Sequence, residues 1–124
     1  MDKIVQVKRK EVYEFLKSIK VIENKNFHII KRLNDEKNPD ILLGKLGIDY
    51  NDLINEIKKL TIADFLRCQL DSKNKFLFMY IFLKNIQNIL VFIKLSIIQQ
   101  NNEKVYVISF HEAEFNELDK RPYK

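Results

Sequence analysis

Hydrophobic positions follow two rhythms along the chain, a helical spacing through the first half and strand-like blocks after residue 75. Val12, Phe15, Leu16 and Ile19 make one stripe of a helix predicted over Lys8 to Ile19, with Glu11 and Lys17 off the stripe. Asn24 to Asn26 break the pattern, and Phe27 to Leu33 reads as a short strand in which His28 is an ordinary strand residue. Asn38 before Pro39 is a helix start, and Gly47 after Leu46 is a left-handed stop, which bounds a helix over Asp40 to Leu46. Asp49 caps the next helix, whose apolar set Tyr50, Leu53, Ile54, Ile57 and Leu60 keeps the three-four spacing. Thr61 with Asp64 has the form of a capping box and predicts a further helical turn carrying Ala63, Phe65 and Leu66.

The polar run Asp71 to Lys75 closes the helical half. Phe76 to Leu83 then reads as a strand, Asn85 to Asn88 as a turn and Leu90 to Ile98 as a second strand. Gln99 to Asn102 is another turn, and Val105 to Phe110 a third strand. Helices first and strands last predict one α+β domain over residues 1–124, with N-terminal helices packed on a C-terminal antiparallel meander. Strand alternation puts Val91, Ile93, Leu95 and Ile97 on a core face and Phe92, Lys94 and Ser96 on the other, while Tyr80, Phe82 and Lys84 share a face of their strand. We expect Lys84 and Lys94 to point to the same side of the hairpin. A lysine there most often faces water on a one-sided sheet, but an aromatic-and-lysine face also suits phosphate binding and base stacking.

Composition narrows the classes. With 124 residues, 46% hydrophobic and 31% charged, the chain has the make-up of one globular domain, and 2 Gly and 2 Pro exclude collagen-like and low-complexity sequences. One cysteine, Cys68, excludes an internal disulfide, and with two histidines it excludes a Cys/His zinc site, so neither metal nor cofactor is expected. Twenty-two Lys and Arg against 17 Asp and Glu leave a net charge of +5, which favours acidic partners without naming one. The start lacks the apolar core of a secretory signal, and Lys84, Asn85, Gln87, Asn88 and Lys94 interrupt the one long apolar stretch. A cytoplasmic chain with no membrane partner is expected.

Phosphate loops, nucleophile elbows, paired metal-ligand helices and calcium loops are all missing from the sequence. Glu112, Glu114 and Glu117 read more readily as solvated tail carboxylates than as metal ligands. What remains is a cationic set, Arg67, Lys84, Lys94 and His111, with Tyr80 and Tyr106 nearby in sequence. Metal-free RNA cleavage needs little more, because the substrate brings its own 2′-hydroxyl nucleophile. A base takes the hydroxyl proton, cations stabilise the phosphorane and an acid protonates the leaving 5′ oxygen. His111 is the one member of the set with an ordinary pKa near neutrality, and it stands just past the end of the third predicted strand. A histidine at a strand end also serves simply to hydrogen-bond the backbone there.

From Leu46 onward, LGIDYNDLINEIKKLTIADF, FMYIFLK, LVFIKLSII and KVYVISFHEAEF resemble in order and spacing the MqsR family of toxins from bacterial toxin–antitoxin pairs, over roughly the last two thirds of the chain. The resemblance implies a RelE-like α+β fold and an mRNA endoribonuclease, acting on free or ribosome-bound mRNA and inhibited by a cognate antitoxin. It matches Arg67 to the basic residue after the Asp-Phe segment, Lys84 and Lys94 to the lysines of the central strands and His111 to the basic residue after Ser-Phe. The implied site is therefore Arg67, Lys94, His111 and Tyr80 for catalysis and Lys84 for RNA binding. The best-known member has a tyrosine ahead of the strand lysine where this chain has Phe92. That member's active-site glutamine has no counterpart near Met79 and Tyr80, and the glycine often found before the first strand lysine is Leu83 here. The expected activity is metal-independent cleavage to a 2′,3′-cyclic phosphate and a 5′-hydroxyl. The rivals are a non-catalytic RNA- or protein-binding module on the same fold and an unrelated α+β interaction protein.

Overall fold

The stripe Val12, Phe15, Leu16 and Ile19 forms the buried face of helix α1 (Arg9–Val21) in a computed structural model that describes residues 2–74, 77–99, 102–114 and 120–124. Helix α2 (Pro39–Leu46) buries Leu42, Leu43 and Leu46, and ends as its sequence predicts. Gly47 takes φ +68° and its N–H donates to the Leu43 carbonyl at 2.9 Å, a conformation that suits glycine best. Asn38 precedes α2 but makes no capping hydrogen bond. Helix α3 (Tyr50–Lys58) opens on a full capping box, in which the Asp49 carboxylate accepts from the Asp52 N–H at 2.8 Å and the Asp52 carboxylate accepts from the Asp49 N–H at 3.1 Å.

The Thr61–Asp64 box also forms, yet it supports only a single 3-10 turn, Ile62–Asp64. Phe65 and Leu66, expected on a helix, begin a strand instead. The reason is tertiary: Phe65 pairs with Phe82 and packs edge-on against that ring, 5.8 Å between centroids. Local capping gives way to a long-range ladder and a buried aromatic cluster.

The sheet is larger than a three-strand meander. Its strands are β1 (Lys3–Val5), β2 (Phe27–Ile29), β3 (Phe65–Leu70), β4 (Phe78–Ile86), β5 (Ile89–Gln99) and β6 (Glu103–Glu112), in spatial order β1-β3-β4-β5-β6-β2. All neighbours are antiparallel except β2 and β6, which run parallel. The strand expected over Phe27 to Leu33 stops at Ile29. The β4–β5 turn is tighter than expected, two residues, Gln87 and Asn88, both with positive φ of 52° and 67°. Phe76, and residues 100–101 of the second predicted turn, lie outside the described residues.

The three helices cover one face of the sheet. Their apolar stripes meet Cys68, Phe82, Val91, Ile93, Leu95, Val105, Val107 and Phe110 in one core. Leu66, Ile81 and Leu83 form a smaller apolar cluster on the other face, with Leu90, Phe92 and Ala113 against it. The fold is thus α+β with a mostly antiparallel sheet. Among the described residues, no helix is long and apolar enough to cross a membrane.

Candidate active site: a cationic cleft on the outer sheet face

Two bulges decide which side chains reach the outer face. In β3, Phe65 pairs with Phe82 and Arg67 with Ile81, so Leu66 is an extra residue between them. Regular alternation would send Arg67 to the core with Phe65. The bulge turns it outward and leaves Cys68 inside. In β6, Val107 pairs with Leu95 and Ser109 with Lys94, so Ile108 is extra. Val105 and Val107 face the core, and without the bulge Ser109 and His111 would follow them. With it, Phe110 takes the core position, fully buried, and Ser109 and His111 face outward.

Arg67, Lys94 and His111, from β3, β5 and β6, therefore line one cleft of about 310 Å³ together with Arg32, Lys37, Leu83, Phe92, Ser109, Ala113 and Glu114. His111 lies within β6, paired with Phe92, rather than past its end, as the sequence had suggested. Its ring stacks on Phe92, centroids 5.1 Å apart at 15°. Its Nδ1 lies 2.9 Å from the Glu112 carbonyl oxygen, which only accepts, so Nδ1 carries a proton and donates. In the neutral ring Nε2 is then the basic nitrogen. Burial pushes the His111 pKa below the ordinary histidine value; the hydrogen bond to Glu112 opposes this, while Lys37 and Arg32 add to it. The lowered pKa favours the neutral ring, the form able to take a proton.

Lys94 stands with its Nζ 6.0 Å from the centroid of the Phe92 ring. Burial pushes its pKa down, Asp2 and Asp71 pull it back up, and Arg67 pushes it down again. Half-buried Arg67 and Lys94 on an apolar floor are suited to an anion, while Arg32 is ion-paired with Asp35 at 2.8 Å. Lys37 Nζ forms an ion pair with Glu114 Oε1 at 2.6 Å at the rim of the cleft. An adjoining hollow, also about 310 Å³, shares Lys37, His111, Ala113 and Glu114 with the cleft.

Two members of the expected site lie elsewhere. The hairpin register pairs Lys84 with Val91 and Lys94 with Ile81, so the two lysines occupy opposite faces, and the expectation of a shared side is corrected. Lys84 points to the helical face, where its Nζ pairs with Glu56 Oε2 at 2.9 Å and donates to the Glu56 carbonyl at 3.1 Å. Lys84→Ala should consequently lower stability in a urea titration by about 1–3 kcal/mol, between the values for exposed and buried pairs. The RNA contact expected of Lys84 is not part of the cleft, whose lining does not include it. Tyr80 is also on the core face, stacked on Phe15 of α1 with centroids 4.0 Å apart, and burial raises its pKa to about 12. It holds α1 against the sheet.

Arg32, Lys37 and Ser109 complete the cleft without a legible sequence signal. Arg32 and Lys37 stand on the connection between β2 and α2, one cation among 22 in each case, and Ser109 reaches the cleft only through the β6 bulge. Of the tail carboxylates, Glu112 pairs with Lys45 at 3.1 Å and Glu114 with Lys37, while Glu117 lies outside the described residues. Among the described residues, no three His, Cys, Asp or Glu side chains gather as a metal site would need. No family profile matches the sequence, and no curated protein matches it.

Proposed function

We propose that this chain is a metal-independent endoribonuclease, the toxin of a toxin–antitoxin pair of the MqsR type with a RelE-like fold, acting in the cytoplasm on mRNA and held in check by a cognate antitoxin. The observation that carries the reading is the convergence of Arg67, Lys94 and His111 from three strands on one cleft. In the proposed reaction His111 Nε2 takes the proton of the ribose 2′-hydroxyl, and the 2′ oxygen forms a bond to phosphorus as the bond to the 5′ oxygen breaks. Arg67 and Lys94 stabilise the charge on the phosphorane. Lys94, made more acidic by burial, gives a proton to the departing 5′ oxygen. The products are a 2′,3′-cyclic phosphate and a 5′-hydroxyl.

The experiment uses an oligoribonucleotide cut by the purified protein or by the protein with ribosomes, and the same strand with deoxyribose at the cut position. Cleavage should be abolished by the deoxy substitution in either assay and, with the purified protein alone, unaffected by EDTA. Cutting of the deoxy strand, or inhibition of the purified protein by EDTA, would sink the mechanism. A second reading, a non-catalytic RNA-binding module, is favoured by one observation: Tyr80 lies across the sheet and Phe92 has no hydroxyl, so neither supplies a proton-transfer group to the cleft. Binding without cleavage, and no growth arrest on expression, would select it.

A further inference from the structure

The outer sheet face continues beyond the cleft. Along β5, Phe92, Lys94, Ser96 and Ile98 pair with His111, Ser109, Tyr106 and Lys104 of β6, so all eight residues lie on that face. Tyr106 in turn pairs with His28 of β2, and the two rings stack with centroids 5.3 Å apart at 26°. His28 is exposed and Tyr106 half-buried. An aromatic pair across two strands needs no function beyond holding an edge strand. Two features set this one apart. It repeats, farther along the same strand, the ring pair that Phe92 and His111 make in the cleft. And among the described residues, the strand positions on this face carry Arg67, Lys94 and Lys104 but no carboxylate, in a chain with 17 acidic residues. Asp2 and Asp71, which act on Lys94, stand on the flanking connections.

His111 lies five positions from Tyr106 along β6, a span of about 15 Å at the rise of a strand. That is roughly four nucleotides of a stacked strand, fewer of an extended one. We infer that the His28–Tyr106 ring pair is a base-stacking subsite for single-stranded RNA, holding a base a few nucleotides from the phosphate at the cleft. This deepens the reading of the cleft as an RNA site and rests on it. Lys94 and Lys104 neutralise the phosphates along the path. Stacking on a ring is open to every base but requires the base to be unpaired, so this subsite selects single strands without selecting sequence.

The test measures binding apart from cutting, by fluorescence anisotropy of a labelled 2′-O-methyl hexaadenylate, which lacks the nucleophile, and of the matching dinucleotide. Tyr106→Leu keeps apolar bulk and should weaken hexamer binding roughly 5- to 150-fold, the range for loss of one stacked base. Tyr106→Phe keeps the ring and should stay within about twofold of the parent chain. The dinucleotide, too short to reach from the cleft to the His28–Tyr106 pair, should bind equally to all three proteins. Should Tyr106→Leu fail to fold, His28→Ala, at an exposed edge position, supplies the same comparison and should also weaken the hexamer selectively. Hexamer binding unchanged in Tyr106→Leu overturns the subsite and leaves the cleavage reading standing, and equal losses for hexamer and dinucleotide overturn it too. No hexamer binding by the parent chain overturns both. Selective loss of the hexamer supports the subsite even if the protein cuts no RNA.

Discussion

His111→Ala is expected to lower RNA cleavage by roughly two to four orders of magnitude, as loss of a general acid–base group does, while RNA still binds. Lys94→Ala is expected to impair both, because its charge meets the phosphate in the ground state and in the phosphorane. His111 is buried against Phe92, so His111→Asn is the companion variant: it keeps a donor for the Glu112 carbonyl but has no basic nitrogen. The pH profile tests the same assignment. The base works neutral, so activity should be lost as pH falls, at a pKa below the ordinary 6.5 because of burial first and of Lys37 and Arg32 after it. Lys94 works protonated, so activity should also be lost as pH rises, at a pKa below the ordinary 10.5. His111→Asn should erase the acid limb and leave the alkaline one. Full activity in either His111 variant would remove that residue from the mechanism.

Phe110→Ala should produce the largest loss of stability, about 3–5 kcal/mol, a large share of the roughly 5–15 kcal/mol that holds a domain folded. The ring is 0% exposed, and it occupies the core because Ile108 is an extra residue in β6. The same measurement therefore reports on the site. Were β6 regular after Val107, Phe110 would lie on the outer face, its truncation would be nearly silent, and Ser109 and His111 would be core residues. A urea midpoint that shifts by an amount worth less than about 1 kcal/mol would thus undo both the register and the cleft. Phe92→Ala, which removes a half-buried ring from the outer face, should cost clearly less.

Helices α1, α2 and α3 are legible in the sequence because what makes them is local. A four-residue apolar stripe, Pro39 after Asn38, Gly47 past Leu46 and the Asp49–Asp52 box each act within one or two turns of the chain. Central strands β4, β5 and β6 are legible for a related reason: their apolar runs are long and bounded by polar turns. Short edge strands are not. Lys3–Val5 and Phe27–Ile29 have three residues each and exist through the neighbours they pair with. Phe65–Leu70 was masked by a real capping box that ends after one turn. For Lys84 and Lys94 a signal was present, since a two- or four-residue hairpin loop after Lys84 pairs it with an odd-numbered residue and hence with the Val91 side.

Strand placement and the family resemblance marked Arg67, Lys84, Lys94 and His111 as the cations worth following, and Lys84 proved to lie on the other face. The meeting of Arg67, Lys94 and His111 in one cleft is a product of tertiary structure. Lys94 comes outward by plain alternation, but Arg67 and His111 do so only because β3 and β6 each hold one residue more than the strand beside them. A bulge is a property of two strands in register, set by which side chains fill the core across the pair. Its effect is to invert every face beyond it, so regular counting from Val105 and Val107 would put Phe110 and His111 on the wrong sides, and only the packing of Phe110 against the helical face decides that His111 looks out.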